Sequence, residues 1–406
     1  MDVRPGYKQT EVGVIPKEWE VTPFGSLFAF ANGVNADKTA YGTGVRFINV
    51  LEPISYSHIY GPEIPGRVEI SVSAALTYSV RFGDIVFNRT SETDSELGLA
   101  AVFVGDEQVT FGGFVIRGRP IDDTLDPMYS GYALRAKMIR SQIIPMGQGA
   151  VRANIGQHNL RRVLTAVPPK AEQRVIATAL SDVDALLDGL DRLIAKKREL
   201  KQAAMQQLLA GQTRLPGFRG EWEEKTVVDL ANVTKGTQLH SNETSDEGQF
   251  PHYNGGMFPS AYTDKANTAA DTIAISEGGN SCGYVQLIPE RFWCGGHCYA
   301  LVPKTADKRF LYYALKGRQA AIMGLRVGSG LPNVQKTALE AFKVNLPADP
   351  AEQAAIAAVL SDMDAELAAL EARRNKTRDL KQAMMQELLT GRTRLVRPEH
   401  EGAASC

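Results

Sequence analysis

Apolar residues recur at Ile176, Leu180, Val183, Leu187, Leu190 and Ile194, in alternating steps of four and three. Side chains three and four positions apart share one face of a helix, so this spacing predicts a long helix with a heptad seam. The same register returns at Ile356, Leu360, Met363, Leu367 and Leu370. Near the middle each seam turns polar, at Lys197 and Lys201 in the first copy and at Arg374, Thr377 and Lys381 in the second. Apolar residues resume at Leu200, Ala204 and Leu208, and at Leu380, Met384 and Leu388, which predicts a shift in the seam. Apart from Gly189, no Gly or Pro interrupts either run. A helix of about 39 residues rising ~1.5 Å each is a rod of ~58 Å. Asp349 suits an N-cap, Pro350 the first helical position, and Glu352 the far side of a capping box. Pro168 and Pro169 stop the strand before the first helix, and Gly211 and Gly391 suit the C-terminal caps.

The two helices are copies of one segment. Residues 172–215 align without gaps to residues 352–395, and 25 of the 44 positions are identical. Leu180-Ser181-Asp182 matches Leu360-Ser361-Asp362, and Leu200-Lys201-Gln202-Ala203 matches Leu380-Lys381-Gln382-Ala383. Weaker echoes extend the repeat: Trp19 with Trp222, Gly112-Gly113 with Gly295-Gly296, Tyr132-Ala133-Leu134 with Tyr313-Ala314-Leu315, and Asn154-Ile155 with Asn333-Val334. Two equal seams in one chain favour intramolecular antiparallel pairing over a homodimeric coiled coil. The fold class expected is α/β (α+β): two similar domains separated by two long antiparallel coiled-coil helices, an internal pseudo-two-fold duplication. The boundaries expected are 1–167 for the first variable domain with its N-terminal segment, 168–212 for the first long helix, 213–346 for the second variable domain, 347–391 for the second long helix, and 392–406 for a loose tail. Within the variable domains, Gly83–Asn88 and Asp271–Ser276 read as strands, with Val102–Val104 and Tyr284–Leu287 as partners. Met128–Met138 and Phe310–Gly324 read as helices.

Composition narrows the class. At 406 residues the chain exceeds one ordinary core. No run of 18 apolar residues is present, and Met1-Asp2-Val3-Arg4-Pro5 lacks the apolar core of a secretory signal, so a cytoplasmic protein without membrane contact is expected. The formal net charge of −1 is unusual for a nucleic-acid binder, yet residues 131–220 carry 15 Lys or Arg against 6 Asp or Glu. Phosphate affinity follows local patches, so the total does not exclude DNA. Three of the four cysteines, Cys282, Cys294 and Cys298, fall in one stretch, and the fourth is Cys406. The run from Cys294 through His297 to Cys298 lacks the paired spacing of a zinc site, and its apolar neighbours point to buried thiols in a strand.

No P-loop, H-E-x-x-H, nucleophile elbow or dinucleotide-binding glycine motif occurs, and no amino-methyltransferase motif or nuclease carboxylate set was found. What the halves share is polar, donor-rich loops at matching places. The first half offers Asn88, Arg89, Thr90 and Ser91, then Arg152, Asn154, Gln157 and His158. The second offers Ser276, Asn280 and Ser281, then Asn333, Gln335 and Lys336. Arg pairs with guanine, Asn and Gln with adenine, and Ser or Thr with bases or phosphates, so these are candidate DNA-contacting residues. Taken singly, each fits an ordinary turn equally well.

With these features together, the chain resembles the type I restriction–modification specificity subunits, from about Gly6 to Leu395. The resemblance rests on Gly13-x-Ile15-Pro16-x-x-Trp19, the Gly83-Asp84-Ile85 strand, and the stretch from Gly147-x-Gly149 through Asn154-Ile155 to Pro168-Pro169. Most specific is the repeated Glu-Gln…Leu-Ser-x-x-Asp helix ending in Lys-Gln-x-x-x-Gln-x-Leu-Leu-x-Gly. It implies a non-catalytic subunit in which each variable part is a target-recognition domain reading half of a split, asymmetric site in double-stranded DNA. The helices would act as a ruler, and at ~3.4 Å per base pair a ~58 Å rod bounds the gap at roughly 17 base pairs. They would also dock two type I methyltransferase (modification) subunits, which bring S-adenosylmethionine. A restriction subunit, the motor–nuclease, would bring ATP and Mg. This chain itself would bind no cofactor and no metal. The second variable domain is about 20 residues shorter and holds the cysteine-rich stretch, so its reading loops cannot be copied from the first. The rivals are a fused or unrelated enzyme, which would need a motif the sequence lacks, and a coiled-coil interaction scaffold that binds no DNA.

Overall fold

The computed structural model describes residues 4–149, 152–328 and 330–396. Two compact units divide the chain: one comprises the residues up to Gly189 together with those from Arg374, the other Leu190–Arg373. Each therefore takes the first half of one long helix and the second half of the other. Among the described residues no helix is long and apolar enough to cross a membrane.

The first unit is built on a five-stranded sheet in the order Phe28–Asn32, Val115–Pro120, Ile85–Asn88, Ala100–Phe103, His58–Ile59. The strand His58–Ile59 pairs in parallel with Val102 and Phe103, and the other neighbours are antiparallel. The middle strand Ile85–Asn88 is buried at every position, its apolar run Ile85-Val86-Phe87 carrying Asn88 inside with it. A second sheet of four strands includes Tyr41–Ile48 and Val109–Phe111. The second unit repeats the first four strands as Ala231–Lys235, Cys298–Pro303, Thr272–Ser276 and Val285–Ile288, with no counterpart of the fifth among the described residues. The pairings read from sequence hold: Ile85 lies opposite Val102, and Ala274 opposite Gln286. Cys282, Cys294 and Cys298 are free, buried thiols. The Cys294 thiol donates to the Cys298 carbonyl at 3.4 Å, and this neighbour together with burial pushes the Cys298 thiol up. Cys406 lies outside the described residues.

The two helices expected in the variable parts are each broken in two: Pro127–Ala133 and Lys137–Ile143 in the first unit, Lys308–Gly317 and Gln319–Met323 in the second. A buried cation sits at the break. Arg135 donates to the carbonyls of Pro53, Ile54, Tyr56 and Ala100, and its burial lowers its pKa to about 10. Lys316 takes the matching place and donates to the Val285 carbonyl at 2.8 Å. Carbonyls left without a partner at these places would cost more than the interrupted helix.

The long helices run Lys170–Leu209 and Pro350–Leu388. In the second unit Lys201 pairs with Asp364, and Lys197 with Glu366 at 2.7 Å, so the helix halves run antiparallel. In the first unit Lys381 pairs with Asp184 at 2.5 Å. The expected shift in the seam does not occur. Leu200 and Leu380 are exposed, while Lys201, Ala204 and Leu208, and Thr377, Lys381, Met384 and Leu388, keep the original register. The lysines hold seam positions because their ammonium groups lie over tyrosine rings, Lys201 5.7 Å from the centroid of Tyr313 and Lys381 5.5 Å from that of Tyr132, and also reach the carboxylates. Each tyrosine also donates to the same aspartate, Tyr132 to Asp184 at 2.8 Å and Tyr313 to Asp364 at 2.7 Å.

Helix ends carry a second repeated device. Glu172 is 1% exposed, and it accepts from Trp19 Nε1 at 3.0 Å and from Arg394 at 2.9 and 2.8 Å. Glu352 is fully buried and takes two bonds of 2.5 Å from Arg214. The capping box expected at Asp349 is thus half realised: Asp349 accepts from the Ala351 amide at 2.9 Å, but Glu352 turns to Arg214, whose charge outweighs a single amide. Gly211 and Gly391 cap both helices with φ of 68°. Of the tail 392–406, expected to be loose, Arg394 is held by Glu172 and Glu18, and residues 397–406 lie outside the described ones.

Candidate nucleic-acid interface

In both units the middle strand of the sheet opens into the loop that carries the first group of candidates. A later segment returns to meet it. In the first unit the Ile155 amide donates to the Arg89 carbonyl at 3.0 Å, and in the second Val334 donates to Glu277 at 2.8 Å. Gln148 bridges Asn154, and Val327 bridges Asn333, so the return segments are folded alike. This pairing brings 88–91 together with 152–154, and 276–281 together with Asn333.

The candidates divide by burial. Asn88 and Ser276 end their strands with side chains 0% and 1% exposed, which withdraws both from the surface they were expected to form. Asn88 donates to the Glu96 carbonyl at 3.0 Å and Ser276 to that of Gly278 at 3.3 Å, so each ties its own loop. Ser91 is also buried and donates to Glu96 at 2.9 Å, shaping the loop from inside. Arg89 is half-buried and donates to the Gly113 carbonyl at 3.2 Å. Thr90 donates to Asn154 Oδ1 at 2.6 Å, and exposed Arg152 pairs with Glu92 at 2.7 Å. Exposed ion pairs of this kind are weak, so the Arg152 guanidinium can exchange one anion for another. Gln157 donates to Asn32 at 3.0 Å, and His158 is exposed on the following turn.

In the second unit Asn280 is exposed and Ser281 half-buried, and they line a groove of about 390 Å³ with Met257, Phe258, Tyr284 and Met323. Asn333, Gln335 and Lys336 are exposed on the return segment, Lys336 lying 3.5 Å from Glu340. A groove of the first unit, about 460 Å³, joins Thr90, Ser91 and Arg152 to Asn49, Leu51 and Phe114. Polar groups that exchange water for bases, beside exposed apolar edges, suit a surface that reads base pairs.

Three residues here escaped the sequence reading. Glu277, at the place of Arg89, accepts from Lys235 at 2.6 Å and from the Tyr299 hydroxyl at 3.0 Å. Burial, then the bond to Glu277, pushes the Tyr299 hydroxyl well above its usual range. Phe114 and His297 follow the two double glycines, and their backbone carbonyls accept from the amides of Arg89 and Glu277, both at 2.9 Å. The repeated Gly-Gly pair was the available signal.

Comparison with known proteins gives a consistent picture. A family model described as the type I restriction modification DNA specificity domain matches residues 16–202 and again 219–377. A protein described as a type I restriction enzyme specificity subunit from Methanocaldococcus jannaschii is 26% identical over 419 residues, covering 96% of this chain and 97% of that one. Type I specificity subunits of Mycoplasma genitalium and Mycoplasma pneumoniae are 37% and 31% identical over 36% and 42% of this chain, and the matches span only 39% and 46% of their own lengths. The crystal structure of a type I S subunit from M. genitalium superposes with a TM-score of 0.64 at 20% identity, covering 96% of this chain and 98% of that one. A chain from a study of type I system assembly and conformational transition gives 0.56 at 16% identity, covering 93% and 99%. At those identities the structural likeness speaks for the fold alone.

Proposed function

Because the chain belongs to the type I restriction modification DNA specificity family, we propose that it selects the DNA sequence on which a methyltransferase and a motor–nuclease act. Each unit reads one half of a split, asymmetric site in double-stranded DNA, and the paired helices set the unread gap. One observation carries this reading: two copies of one scaffold keep the same helix clamps, Glu172 with Arg394 and Glu352 with Arg214, yet present different side chains at matching loop positions. Arg89 faces Glu277 across the duplication, and Phe114 faces His297. A scaffold serving one partner twice has no need of two different loop sets.

The C-terminal halves of the helices, by contrast, repeat many of their exposed residues. Leu200, Gln202 and Ala203 recur outside the seam as Leu380, Gln382 and Ala383. A surface presented twice favours two copies of one partner, which we assign to two methyltransferase subunits carrying S-adenosylmethionine. ATP and Mg belong with the restriction subunit, and this chain takes no part in the covalent chemistry. With a net charge of −1, much of the phosphate contact falls to the methyltransferase.

Co-expression with the cognate methyltransferase in a methylation-free host, followed by sequencing of modified adenines, tests the proposal. The expected result is one split motif with a fixed gap and unlike halves. An active methyltransferase in a stable complex that leaves no motif would instead favour the DNA-free scaffold.

A further inference from the structure

We propose that the residue after the double glycine, Phe114 in one unit and His297 in the other, touches a base pair and sets which base is accepted there. This rests on the reading of the chain as a DNA-specificity subunit and adds a position to it.

The turn that carries this residue is fixed in the same way twice. Val115 donates back to the Gly112 carbonyl at 2.9 Å, and Cys298 to that of Gly295 at 3.0 Å, closing a tight turn with the residue of interest just before the strand resumes. The first glycine of each pair is closely crowded, and the second less evenly so. A Cβ on Gly112 would lie 2.5 Å from the Phe47 ring, and one on Gly295 2.6 Å from Asn254 and His252. A Cβ on Gly113 would lie 2.0 Å from Asn35 Oδ1, and one on Gly296 3.0 Å from Gln238 Oε1. Such crowding behind the turn leaves the third side chain no room inward. Phe114 is 57% exposed, and the His297 side chain 63%.

An outward phenylalanine gains nothing from water, and Phe114 lines the same groove as Thr90, Ser91 and Arg152. It offers an apolar contact of the kind that recognises a thymine methyl group and accepts no hydrogen-bonding edge. His297 offers the opposite chemistry. Its Nδ1 lies 3.6 Å from Glu277 Oε2, a buried oxygen without a hydrogen-bond partner, while its amide is held by Asn254 at 3.0 Å. Glu277 is the positioning residue: with Nδ1 held beside its Oε2, Nε2 is left to hydrogen-bond a base edge. One scaffold position thus reads by apolar contact in one unit and by a hydrogen bond in the other.

The test is the methylated motif left by the full chain with its methyltransferase, compared for wild type, Phe114→Ala and His297→Ala. Each variant should admit a wrong base at one position of one half-site, with that substituted site methylated ~10-fold more often than by wild type, while the other half-site is unchanged. The two variants should affect opposite halves. Glu277→Gln should relax the same base as His297→Ala, by a smaller factor. A motif unchanged at every position in both variants would overturn the proposal. So would an even loss of methylation at all sites from a complex that copurifies and melts like wild type, since that marks affinity and not choice. If alanine prevents folding, Phe114→Leu and His297→Gln decide by the same criteria. A wild-type complex that leaves no motif would sink the specificity reading, and this inference with it.

Discussion

Arg394 closes a bidentate ion pair on Glu172, a residue 222 positions earlier, at 2.9 and 2.8 Å. Trp19 supplies the remaining bond, at 3.0 Å, so the carboxylate is fully committed in a site sealed from water. Truncating one partner of such a pair leaves a buried charge, which costs about 3 kcal/mol. Arg394→Ala should therefore lower the melting temperature of the unit containing Glu172 and spare the other. Arg214→Ala should do the reverse. Differential hydrogen exchange across the two units would check this, and equal loosening of both by either variant would contradict it.

The corrected seam makes a contrast of its own. Leu200 and Leu380 are 47% and 55% exposed, whereas Leu180 and Leu360 are fully buried. Leu200→Ser and Leu380→Ser should change stability by no more than about 0.5 kcal/mol. Leu180→Ala and Leu360→Ala should each cost roughly 2–5 kcal/mol. Chemical denaturation of the four variants reads this directly. Losses of equal size would restore the shifted seam.

A pH dependence follows from His58. Its Nε2 donates to the Met128 carbonyl at 2.8 Å, Ser57 lies 3.0 Å from Nδ1, and the ring meets Tyr132 edge-on at a centroid distance of 4.7 Å. Burial lowers its pKa below the usual 6.5, helped by Lys381 and Arg135 and opposed by the Met128 bond and Asp184. A lowered folded-state pKa means that the unfolded chain takes up the proton first as the pH falls. Stability is then complete above about pH 6.5 and declines below it. Thermal melts of the wild type should fall faster between about pH 6.5 and 5 than those of His58→Asn. Parallel curves would remove His58 as a cause.

Gap length should follow helix length if the helices are a ruler. Inserting seven residues at matched places in both helices preserves the seam and lengthens each by ~10 Å, about three base pairs. The methylated motif should keep both halves and widen its gap. An unaltered gap would separate recognition from the helices.

How far the sequence spoke depends on distance along the chain. The helices were legible because a seam is a local pattern, and the duplication because identity survives at a fixed offset. Lys201 misled for the opposite reason. The ring beneath its ammonium group belongs to Tyr313, more than a hundred residues away, and nothing near Lys201 announces it. Asn88 and Ser276 looked like loop donors because a polar residue after an apolar strand is ambiguous until burial is known. Arg394 was treated as tail although its twin Arg214 stood in the aligned repeat, since a lone arginine after a cap has no local meaning. Phe114 and His297 share no residue type, and only their place after a repeated glycine pair links them.

The division of the long helices has a consequence for how the chain is made. The second unit, Leu190–Arg373, is one unbroken stretch. The first needs Leu388 and Leu389 in a core that already contains Trp19 and Phe24. A ribosome adding about 5–20 residues per second needs on the order of 10–40 seconds to travel from Gly189 to those leucines. Throughout that interval the earlier-born unit has no lid for its core, and the later-born one is complete at Arg373, just before those leucines are made. Newly made protein therefore matures from the middle outward, and the growing N-terminal part is the stretch in which a chaperone would find exposed apolar surface.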